Sequence, residues 1–155
     1  MDNKINKMPA DYNSKHGTVS RMPQELYMAF VDMRNFANML PEDKKASVKA
    51  DYDNIEFSVQ GFNIGVRVKD RIPYSKIEVV DNGAPFHFDV TLHFDSFNDP
   101  NKTDFWINVT AELNMMMKMM LGSKIKEALD KVVDGLVDAS EGRMPAGVDP
   151  SKFNF

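Results

Sequence analysis

His87, Asp89, His93 and Asp95 fall at alternate or near-alternate positions of one segment. On a strand such spacing puts them on one face, and imidazole with carboxylate is metal-ligand chemistry. The distances argue against a metal. His87 and His93 lie six residues apart, about 20 Å along a strand at ~3.3 Å per residue, too far for one ion. His87 with Asp89 supplies two ligands where a stable site needs at least three. This face therefore reads as the wet side of a sheet, and no metal is expected. His16 sits where the strand phase is ambiguous; an edge or capped position suits it better than an inward one.

Acid–base or nucleophilic catalysis needs a titratable group inside a cleft with a partner to tune it. Tyr52 is the best candidate for an inward hydroxyl, and Lys124 for a rim cation. No nucleophile–His–acid arrangement, phosphate-binding loop or HExxH is found. There are no cysteines, which excludes disulfides, thiolate catalysis and Cys-based zinc sites. No catalytic residue and no cofactor are expected.

The chain has 155 residues, 43% hydrophobic and 27% charged, which suits one globular domain with a real core. A net charge of −4 without a Lys/Arg cluster argues against nucleic acid and against a polybasic membrane anchor. Neither a secretory leader nor an apolar run of membrane-spanning length is evident, so no membrane insertion and a cytoplasmic location are expected.

The elements that would position these groups follow from periodicity. Residues 1–11 read as a flexible start, 12–139 as one domain and 140–155 as a tail that carries Phe153 and Phe155. Tyr12 to Arg21 reads as a strand. Pro23 opens a helix whose Leu26, Ala29, Phe30 and Met33 form one apolar face, and a second short helix ends before Pro41. Alternation then predicts strands over 46–52, 55–59, 62–68, 77–79, 86–94 and 105–113. The last segment, about Met115 to Ala139, carries Met117, Leu121, Ile125, Ala128, Leu129, Val132 and Leu136 at helical spacing. The fold class is α+β: a curved seven-stranded antiparallel sheet, apolar on one side, around a long C-terminal helix, with two short helices after the first strand.

This order, with Val31-Asp32-Met33-Arg34-Asn35-Phe36, Met39-Leu40-Pro41 and Ala111-Glu112-Leu113-Asn114, resembles small bacterial members of the START-like (SRPBCC) superfamily. The resemblance spans residues 12–139 and implies the helix-grip fold, in which the last helix walls a pocket. The superfamily includes lipid-binding carriers, polyketide cyclases and chaperone activators, so the fold leaves the function open.

Five of twelve methionines cluster at Met115, Met116, Met117, Met119 and Met120. Methionine is flexible and polarizable, suited to an adaptable apolar wall or to filling core gaps. Successive helical residues point ~100° apart, so not all five face inward; Met117 and Met120 lie nearest the stripe with Leu121. The expected ligand-lining set is Phe57, Val59, Val66, Ile77, Phe88, Val90, Leu92, Ile107, Val109, Met117, Met120, Leu121 and Ile125. The expected function is non-catalytic binding or transport of a small apolar or amphipathic molecule. The alternatives are a protein-interaction module with a filled core and a cyclase-type enzyme, with a homodimer through the Met surface or Trp106 as a further expected partner.

Overall fold

The computed structural model describes residues 9–38, 47–59 and 61–142. Its strands are β1 (Pro9–Asn13), β2 (Gly17–Val19), β3 (Lys49–Ala50), β4 (Asn54–Val59), β5 (Phe62–Ile72), β6 (Lys76–Asp81), β7 (Phe88–Ser96) and β8 (Thr103–Glu112). Helices α1 (Pro23–Phe30) and α2 (Arg34–Asn38) follow β2, and the long helix α3 (Met115–Ser140) follows β8. All pairings are antiparallel, in the order β1-β8-β7-β6-β5-β4-β3, with β2 also on β8.

The sheet has eight strands because the expected first strand is broken in two. Asn13 faces Asn108 and Gly17 faces Phe105, so residues 14, 15 and 16 oppose only 106 and 107. That is a β-bulge. Ser14 makes it tolerable: its N–H donates to the Ile107 carbonyl and its hydroxyl oxygen accepts from the Ile107 N–H, each at 2.8 Å. β1 also starts at Pro9, earlier than expected. The strand expected over 46–52 shrinks to Lys49–Ala50, because the Asp51 carboxylate accepts from the backbone N–H groups of Asp53 and Asn54 and turns the chain. Met39-Leu40-Pro41, Ala46, Phe153 and Phe155 lie outside the described residues.

α1 starts at Pro23, whose missing N–H is no loss in a first turn, and it buries Leu26, Tyr27, Ala29 and Phe30. Phe30, Phe94 and Phe105 form an aromatic cluster with ring centroids 5.7–6.1 Å apart. Arg71 ties the α1–α2 junction to the sheet. Its guanidinium donates to the carbonyls of Val31 and Tyr52 and to Asp53, and lies 4.1 Å above the Tyr52 ring.

α3 is capped by Asn114, whose side chain accepts from the Met117 N–H, and ends before Gly142, which takes φ +79. Its second half buries Val133, Gly135, Leu136, Ala139 and Ser140. There the bulge and β2 grip it. The Lys15 N–H donates to Asp130, the Lys15 ammonium pairs with Asp134, and Ser140 joins the Ser20 N–H to Arg21 through its hydroxyl and carbonyl oxygens. Gly17 lets the backbones close up: a β-carbon there would lie 2.5 Å from Val133 Cγ1 and 2.8 Å from Val137 Cγ2. Gly17→Ala should therefore lower stability by about 1–3 kcal/mol through overpacking. Urea unfolding measures it; a variant as stable as the parent would mean that this contact relaxes freely.

Candidate functional site

The first half of α3 behaves differently. From Met115 to Leu129 no residue is buried; Met117, Leu121, Gly122, Ile125 and Leu129 are half-buried, and most of the others are exposed. The helix contacts concentrate on β1, β2 and β8. Opposite this half, the inward side chains of the sheet stay partly uncovered. Along β7, Phe88 and Val90 are half-buried whereas Leu92 and Phe94 are 6% and 2% exposed. Phe57 on β4 and Ile64 on β5 are half-buried too, while Ile55 and Val66 beside them are buried. The inward face is thus well covered near α1 and less covered towards the start of β7, which makes that end the candidate site.

Of the lining set expected from the sequence, Phe57, Phe88, Val90, Met117, Leu121 and Ile125 are half-buried, and Val66 is buried. Ile77, Leu92, Ile107 and Val109 face the same way but belong to the sealed core. The side chain of Val59 lies outside the described residues. Met120 is a correction: it is exposed, because one residue before Leu121 the helix has already turned ~100° from the sheet. Tyr52 is another. It sits in the turn after β3, 44% exposed beneath Arg71, and not inside the grip.

Tyr12 carries an inward hydroxyl. Tyr12 is opposite Val109 on β8 and thus on the concave face, and a β-carbon on Gly122 would stand 3.2 Å from its hydroxyl oxygen. Its phase could be read only once the bulge was located. Ile64, Val68, Phe86 and Leu129 are also half-buried against the core; the alternation and helical spacing that named their neighbours included all four.

Polar groups gather at the rim. Asp81 accepts from the Phe88 N–H at 2.9 Å, and its other oxygen lies 3.0 Å from His87 Nδ1. Burial opposes its charge, but the Phe88 N–H and the His87 ring hold its carboxyl below the usual range. The partner of His87 is thus Asp81 across the β6–β7 turn, and not Asp89.

The convex face carries a stack of three rings. Trp106 lies between His93 (centroids 3.8 Å apart, planes 5° apart) and His16 (4.8 Å, 20°), and its indole N–H donates to Asp95 at 2.7 Å. His16 also lies 3.0 Å from both oxygens of Asp104. The Trp106 on this face is half-buried by its neighbours.

No family model matches the sequence, and no curated protein matches it. Solved structures do. A protein from Rhizobium loti superposes with a TM-score of 0.63 at 13% identity, over 84% of this chain and 96% of its own. Norcoclaurine synthase from Thalictrum flavum gives 0.59 at 9% identity, over 84% and 90%. A START superfamily protein from Mycobacterium smegmatis gives 0.55 at 13% identity, over 83% and 98%. The fold is START-like. At these identities the likeness carries the helix-grip architecture and nothing finer. Among the described residues, no helix of this START-like fold is long and apolar enough to cross a membrane.

Burial pulls the His93 pKa below 6.5, helped by Lys76 and His16 and opposed by Asp95 and Glu78. The fold thus favours the neutral ring, and the unfolded chain binds more protons as pH falls below 6.5. The contribution of His93 to stability should be complete above that value and be lost as pH falls through the folded pKa. Proton NMR should show the His93 ring titrating below 6.5. Urea unfolding of His93→Gln should show a flatter pH slope there; a parent-like slope would discount the effect.

Proposed function

We propose that this protein binds one small apolar or amphipathic molecule in the open end of the grip, and holds or carries it without chemical change. One observation carries the reading. Phe57, Ile64, Phe88 and Val90 on the sheet and Met117 and Ile125 on the helix keep exposed apolar surface where a closed grip would bury it. Burying a ligand against them releases that surface from water, at about 25 cal/mol per Å².

The lining supports binding over turnover. Norcoclaurine synthase has a similar fold, but an acid–base mechanism would need a tuned pair inside the cleft. Phe57, Ile64, Phe88, Val90, Met117 and Ile125 are apolar, Tyr12 adds a hydroxyl, and Asp81 and His87 lie at the rim. Tyr12 suits a single polar handle on an otherwise apolar ligand. Ten methylenes at ~0.8 kcal/mol each give ~8 kcal/mol before the cost of association, so tens of micromolar or weaker is the expected affinity. A cytoplasmic carrier of moderate affinity fits these figures.

Two variants test the site. Val90→Trp fills the cleft from the sheet, and Ile125→Glu places a carboxylate on its helix wall. Each should weaken binding of an anilinonaphthalene sulfonate probe roughly tenfold or more, the loss of one or two buried apolar contacts. Native mass spectrometry of the parent should show an adduct of small-molecule mass that is lost on denaturation. Parent-like probe binding by both variants, with folding intact by circular dichroism, would rule out this cleft as the site.

A further inference from the structure

We propose that the first two turns of α3 are the face through which two copies of this chain pair. This face is distinct from the cleft, on the side of the helix turned away from the sheet.

Met115, Met116, Met119 and Met120 are 78%, 70%, 81% and 56% exposed, whereas Met117, Leu121 and Ile125 on the other side of the helix are half-buried. At ~100° per residue the exposed four form two neighbouring i,i+4 rows, Met115 with Met119 and Met116 with Met120. Isolated exposed hydrophobic residues are ordinary; four large ones on two turns mark a surface that meets something apolar.

The arrangement favours a second copy as the occupant. A two-fold dimer uses the same patch on both subunits, so the patch must fit itself. Turned end for end, each row lies along its own counterpart. Met115 meets Met119 of the second copy, Met119 meets its Met115, and the other row pairs likewise. Flexible thioether side chains let two such surfaces interdigitate. The four together expose nearly the surface of three whole methionines. That is about 500 Å² a copy, and two copies reach the roughly 1,000 Å² that a specific interface needs.

Charge agrees with self-pairing. Ser123 ends the apolar face, and the exposed charges beyond it are already paired, Lys126 with Asp130 and Glu127 with Lys131. Lys118 is half-buried towards the sheet. Lys124 stands at one flank, and in an antiparallel pair the two copies of it lie about 20 Å apart along the axis at ~1.5 Å per residue. Like charges are therefore not pressed together when the two faces meet. Trp106 offers no comparable face, because His16 and His93 cover both sides of its ring.

Sedimentation velocity from micromolar to millimolar protein tests the pairing, with circular dichroism to check that each variant is folded. The parent should pass from monomer to dimer as concentration rises. Met116→Glu/Met119→Glu should raise the dissociation constant roughly tenfold or more, because each carboxylate would be buried against apolar surface. Met28→Glu alters a methionine of α1 that is 57% exposed, and should leave the dimer as in the parent. A parent that stays monomeric throughout, or a dimer that survives Met116→Glu/Met119→Glu, would overturn the proposal. Equal loss of the dimer in Met28→Glu would overturn it too, since the effect would then come from added charge and not from this face. A monomeric parent that sediments with lipid vesicles would assign the face to a bilayer instead.

Discussion

The long helix is gripped along half its length. Gly17 admits Val133 and Val137, Lys15 holds Asp130 and Asp134, and Ser140 is tied to Ser20 and Arg21. Among the described residues, no hydrogen bond or ion pair joins residues 115–129 to the sheet. The Lys15 ion pair is exposed and adds little by itself. The buried packing of Val133, Leu136 and Ala139 gives the grip its strength. Closed core, open cleft and exposed methionines all follow from where this grip stops.

The bulge is the part of the sheet that makes the grip. By adding one residue opposite β8 it brings the Lys15 backbone to the helix and His16 to the outer face. Bulges bend strands and strengthen their twist, which is what a sheet needs to curl around a helix. The same residues thus hold α3 inside and complete the Trp106 stack outside.

Much of this was legible in the sequence. Alternation over 86–94 and 105–113 and the helical spacing from Met115 locate β7, β8 and α3 closely, since long periodic segments carry strong signals. The bulge was not legible, because nothing in Ser14-Lys15-His16 announces an extra residue; the Ser14 hydroxyl works only through Ile107, which is 93 residues away. Without the bulge, the phase of Tyr12 is undefined and an inward hydroxyl is assigned to Tyr52 instead. The candidate lining was readable as a face but not as a cleft. Alternation gives the side on which Phe88 and Leu92 lie, whereas their different burial depends on where the helix lifts away.

A rod held at both ends and lightly packed between them can bow. Leu113, just before the helix, is 1% exposed and Val133 is 0% exposed; they lie 20 residues apart, about 30 Å along the axis at ~1.5 Å per residue. Bowing of the stretch between them would change the width of the gap while both holds stay where they are.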